Sequence, residues 1–105
     1  MRLEPSEIQS IKQSVFHYVP QEQCNIYLFG SRADFHKKGG DIDLLLVIKD
    51  SSSLTRHLIQ NHKLEILVDI KSAIGDQKID LVITEERELL IDPFLKEIIK
   101  TAIRL

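Results

Sequence analysis

The sequence predicts a small α/β (α+β) fold in which a mixed β-sheet is packed with helices. Two observations predict it. Segments with helix and strand patterning follow one another in the order α-β-β-α-β-α, with a short extra helical segment before the last helix. The second and third strands are separated by a long helical stretch over residues 54–74, which implies a crossover in a mixed sheet rather than a plain meander.

Each element has its own signal. Residues 6–18 read as a helix: Ser6 caps it with Pro5 just outside, apolar Ile8, Ile11, Val15, Phe16 and Val19 recur near one face, and Pro20 stops it. Residues 25–29, Asn-Ile-Tyr-Leu-Phe, are a short β-prone run ended by Gly30. A polar stretch over 30–40 follows, with one or two helical turns expected around 31–36. Residues 41–48, Asp-Ile-Asp-Leu-Leu-Leu-Val-Ile, form a second strand whose later half is apolar on both faces, as in a central strand. In the helical stretch 54–74, Ile59, Ile66, Ile70 and Ile74 run down one side, a break is expected at 60–62, and Gly75 ends the element. Residues 78–83 are a third strand, Thr84 with Glu85-Glu86 opens a helical segment, and Asp92-Pro93 caps a last helix that runs to about residue 103.

Composition narrows the function classes. A formal net charge of -2 argues against an extended nucleic-acid surface, which would show a basic stripe; His36-Lys37-Lys38 is too local to supply one. The one cysteine, Cys24, reads as a small buried hydrophobe at the start of a strand. His17, His36, His57 and His62 lack the spacing of a metal set. No signal-peptide pattern and no apolar run near ~20 residues occurs, so no membrane role and a cytoplasmic location are expected.

Chemistry concentrates around the second strand. Asp41 and Asp43 are two apart on it, so both carboxylates leave one face, ~7 Å apart along the chain. Magnesium prefers oxygen ligands and takes one or two protein carboxylates, leaving its other positions to water and phosphate. Anion donors sit just upstream. Gly30 lets the backbone approach a phosphate, Ser31 adds a hydroxyl, and Arg32 is within reach of a phosphate oxygen. Asp80 is a charge inside an apolar strand, which requires a partner or a function. If its strand lies beside the Asp41–Asp43 strand, it can face the same metal site and help deprotonate an attacking hydroxyl.

Gly30-Ser31, nine intervening residues and Asp41-Ile42-Asp43 together resemble the signature of the polymerase-β-like nucleotidyltransferases. Within that superfamily, the short length and the single domain expected over residues 1–105 resemble the minimal nucleotidyltransferase (MNT) family. The resemblance implies transfer of a nucleoside monophosphate, AMP first, from ATP or another nucleoside triphosphate to a hydroxyl, with two magnesium ions. It places Asp41, Asp43 and Asp80 as catalytic metal ligands and Gly30, Ser31 and Arg32 as nucleotide contacts. It also implies a role as antitoxin to a helical HEPN toxin, some of which are adenylylated on a tyrosine. Two departures stand out: the Ser-to-Asp loop is one residue shorter than is common, and Asp34 stands where many members carry a second basic residue, a charge that Lys37 or Lys38 would have to replace.

The alternative from a different class is a catalytically inert binding module that neutralises its toxin by covering it. The last helix, with Leu95, Ile98, Ile99, Ala102 and Ile103, is core first, but more apolar than so small a domain needs, which leaves a face for a partner or a second copy.

Overall fold

The computed structural model of the protein describes residues 3–34, 40–49 and 53–105. Its centre is a four-stranded sheet in the order β3-β2-β1-β4, built from β1 (Cys24–Phe29), β2 (Ile42–Ile48), β3 (Ile79–Glu85) and β4 (Ile103–Arg104). β1 is antiparallel to both β2 and β4, and β2 is parallel to β3, so the sheet is mixed as expected. The parallel pair needs a crossover. It is supplied by α2 (Ser53–Asn61) and α3 (Lys63–Ile74), which meet at His62, where the sequence pattern weakens. Gly75, at φ 99°, ends α3 in a backbone region that L side chains avoid, and its amide donates to the Lys71 carbonyl at 2.9 Å.

The alternation of β2 sorts the core into two layers. Ile42, Leu44, Leu46 and Ile48 join Ile11 and Val15 of α1 (Pro5–Phe16) and Ile59, Ile66 and Ile70 of the crossover. Leu45 and Val47 point the other way and meet Leu95 of α4 (Pro93–Thr101), with Tyr27, Phe29, Val82, Ile98 and Ile99 around them. A strand buried on both faces reads as a continuous apolar run, and Leu44 to Ile48 is that run. Cys24 is buried, and its burial pushes the thiol up to about 12, so it packs as a hydrophobe.

Several expectations change at element ends. Helix α1 begins at Pro5, not Ser6. Glu4 is its cap, and the Glu7 carboxylate accepts from the Glu4 amide at 2.9 Å, so proline occupies the first helical turn, where its missing N–H costs nothing. Asp41 precedes β2 rather than starting it. Thr84 and Glu85 finish β3 instead of opening a helix, and a 3₁₀ turn over Glu86–Leu90 follows. Glu85 is buried there and paired with Arg87 at 2.9 Å, which supports a charge that burial would otherwise disfavour.

The last helix stops at Thr101, short of residue 103. Ala102 turns extended, Ile103 and Arg104 pair with Leu28 and Tyr27, and the Leu105 amide donates to the Ile26 carbonyl at 2.9 Å. Ile99, Ala102 and Ile103 fit a helical spacing equally well. A free edge on β1 offers unmet backbone partners, and these decide for the strand.

Among the described residues no helix is long and apolar enough to cross a membrane. Leu46 is fully buried in the central strand. Leu46→Ala is expected to cost about 2–5 kcal/mol of unfolding free energy, read as a lower urea midpoint at unchanged slope.

Candidate active site

The site forms where β1, β2 and β3 reach the edge of the core. Phe29 is the register partner of Asp43, and Asp43 is the register partner of Asp80. Neighbouring residues of paired strands share a face, so the carboxylates of Asp43 and Asp80 stand side by side. The adjacency that Asp80 needed from its strand is therefore present. Asp43 titrates above the ordinary carboxylate range. Partial burial raises it most, followed by the charge of Asp80, a hydrogen bond shared with Asp80 and the charge of Asp41, with Lys78 acting in the opposite direction.

Asp41 and Lys78 immediately precede the paired Ile42 and Ile79, and the Ile42 amide donates to the Lys78 carbonyl at 2.9 Å. The Lys78 ammonium is 3.5 Å from the Asp41 carboxylate. Asp41 with Lys78 just before the two strands, and Asp43 with Asp80 within them, thus stand on either side of the Ile42–Ile79 pair. Lys78 was not singled out by its type or position in the chain. The signal that finds it is the match between Asp41-Ile42-Asp43-Leu44 and Lys78-Ile79-Asp80-Leu81, in which lysine replaces the first aspartate.

Gly30 begins a 3₁₀ turn, Gly30–Ala33, at φ 74°. A side chain there would be strained by the backbone and would run into the Asp43 carboxylate, whose Cγ would lie 3.2 Å from the added Cβ. The glycine thus has a role the sequence did not disclose: it makes room for Asp43. Ser31 follows at the start of the same turn.

Arg32 turns to protein groups. Its guanidinium donates to the Gly40 carbonyl at 3.1 Å and to the Gln77 side chain at 2.8 Å. Gln77 in turn donates to Glu7 at 3.0 Å and to the Ile74 carbonyl at 3.1 Å. Arg32 therefore ties the two ends of the loop between β1 and β2 to the start of β3 and to α1. Lys37 and Lys38, and most of the shortened loop, lie outside the described residues.

A cleft of about 550 Å³ opens over the paired aspartates. Phe29, Asp43, Asp80, Val82 and Phe94 line it, and Lys63 and Leu67 of α3 line it further. A second cavity of about 550 Å³, between Tyr27, Lys49, Glu85 and Leu89, lies at the far end of β2, away from the aspartates. Among the described residues, no three His, Cys, Asp or Glu side chains are gathered closely enough to hold a metal ion by themselves. Asp43 and Asp80 are brought together, while Asp41 leans on Lys78. The donor set still fits a hard divalent cation: all oxygen, open to a cleft, and with a crowded Asp43 whose repulsion a cation would relieve.

This geometry can be set beside known proteins. The family model for the polymerase beta nucleotidyltransferase domain matches residues 11–105. The chain belongs to this family. A crystal structure provisionally described as a nucleotidyltransferase aligns over 95% of this chain and 98% of its own, at 24% identity and a TM-score of 0.57, which is a likeness of fold. No curated protein matches the sequence. Family membership supports nucleotidyl transfer in general terms, and members of the family generally use a nucleoside triphosphate with divalent metals.

The raised Asp43 has a measurable consequence. Its charged form is disfavoured in the folded chain, so stability falls as pH rises from the ordinary carboxylate range through the raised value. Asp43→Asn, measured in chelator, should melt higher than the wild type at neutral pH. The gain should vanish in acid, below the ordinary carboxylate range, where Asp43 is protonated in both states. Thermal unfolding at both pH values checks this.

Proposed function

We propose that the chain is a minimal nucleotidyltransferase that moves a nucleoside monophosphate, AMP in the first instance, onto a hydroxyl of a helical HEPN-type toxin and so acts as its antitoxin. The observation that carries the catalytic part is the register of Asp43 against Asp80, with Gly30 cut away to admit the Asp43 carboxylate. Asp41, Asp43 and Asp80 would hold two magnesium ions, which when bound supply charge neutralisation for the triphosphate and its leaving group. The Gly30 amide and the Ser31 hydroxyl would hold the β- and γ-phosphates, at the start of the turn that Arg32 braces.

The acceptor oxygen attacks the α-phosphorus, the bond from that phosphorus to the bridging oxygen breaks, and pyrophosphate leaves. Asp80, exposed at the cleft, would take the acceptor's proton. A cleft with an exposed apolar side chain in its lining suits a substrate presented by a partner protein. Phe94 lines it at 59% exposure, while Leu90, which lines the cavity at the far end of β2, and Ile91 are exposed as well. These exposed apolar side chains also favour a second reading, in which the chain neutralises its partner by binding alone.

The test is incubation with labelled triphosphates, magnesium and the cognate toxin. Labelled toxin is expected, and Asp80→Asn should slow transfer roughly 10²–10⁴-fold. Full neutralisation of the toxin in cells by the Asp41→Asn/Asp43→Asn variant, with no labelling by the wild type, would establish the binding-only reading instead.

A further inference from the structure

The lysine beside the aspartates has an arrangement of its own. Lys78 immediately precedes β3 and meets Asp41, which immediately precedes β2, while Asp80 within β3 is the register partner of Asp43. Among the described residues, this end of the strand pair therefore presents the carboxylates of Asp41, Asp43 and Asp80 and the Lys78 ammonium. The ammonium lies against Asp41, and both side chains are largely solvated, at 69% and 49% exposure. An exposed pair of this kind is weak and exchanges readily, and the four-carbon stem of lysine lets its charge move.

The charges have an opposite demand in the two ligand states. Without nucleotide, Asp43 stands beside Asp80 with Asp41 near by, and the Lys78 ammonium against Asp41 offsets part of the repulsion among them. A magnesium–triphosphate complex is itself net negative, so bare carboxylates would repel it unless a cation accompanies them. One movable ammonium can serve both states.

We infer that Lys78 is a positioning residue that holds Asp41 in the free protein and passes to a phosphate oxygen when the triphosphate binds, so that metal binding becomes dependent on nucleotide. The inference rests on the nucleotidyltransferase reading and adds to it a device that discriminates against free divalent ions. Asp41 is released to a metal only when Lys78 has another anion to meet. Removing Lys78 should then have opposite effects on the two ligands.

The experiment is manganese titration of the full chain by electron paramagnetic resonance, alone and with a non-hydrolysable triphosphate whose own binding is followed by calorimetry. In Lys78→Ala, free manganese should bind roughly threefold tighter, the scale of one exposed ion pair. The manganese–triphosphate complex should bind about tenfold more weakly, the scale of one charge-assisted hydrogen bond to phosphate. Lys78→Arg should return both affinities toward wild type. Circular dichroism melting confirms that each variant is folded, with Lys78→Gln in place of an alanine variant that is not. If the two affinities fail to move in opposite directions, the inference is overturned while the nucleotidyltransferase reading stands. If the wild type binds neither manganese nor the triphosphate, both are overturned.

Discussion

The parallel pairing of β2 with β3 is the constraint on which the rest of this molecule depends, because it settles core and site in one register. Ile42 meets Ile79, Asp43 meets Asp80 and Leu44 meets Leu81. A slip of one residue would turn the β3 aspartate into the layer occupied by α1 and α3 and take Ile79 and Leu81 out of that layer. The crossover enforces the register. Ile59, Ile66 and Ile70 are fully buried against the same layer as Leu44 and Leu46, so the helices fit only one placement of β3.

Charge is kept at the end of that strand pair and apolar burial in its body. Leu44 to Ile48 are almost wholly buried, whereas Asp43, one residue earlier, keeps part of its surface in the cleft. Moving Asp43 deeper would isolate a charge in low dielectric; moving it outward would lose the contact with Asp80. The result is a carboxylate whose ionised form is disfavoured in the free protein, an arrangement common where a side chain is kept for chemistry rather than for stability. Gly30 belongs to the same compromise. Its missing side chain lets a turn and a carboxylate share one position, which links the Gly-Ser turn to the Asp-x-Asp strand physically.

The two faces of the sheet have unequal cover. One is closed by α1, α2 and α3, and the other by α4 and the 3₁₀ turn before it. The lighter cover leaves the cleft open beside the aspartates and strands Leu90, Ile91 and Phe94 in solvent. Of these three, Phe94 lines the cleft, whereas Leu90 lines the cavity at the far end of β2.

The sequence by itself determined the mixed sheet, the central position of β2, the break between α2 and α3, and the Gly30-Ser31 and Asp41-Ile42-Asp43 elements. These follow from periodicity, glycine and proline, which act within a few residues of themselves. It did not determine β4, because Ile99, Ala102 and Ile103 satisfy a helical spacing and only the open edge of β1 draws the last of them into a strand. It did not reveal that Arg32 braces a loop through Gly40 and Gln77, that Gly30 yields space to Asp43, or that Lys78 faces Asp41. Each of those depends on groups far apart in the chain, and their meeting is decided by how the crossover sets β3 against β2. Asp80 stands between the two cases. Its charge within an apolar strand was legible from the residues alone, while its place beside Asp43 had to come from the tertiary structure.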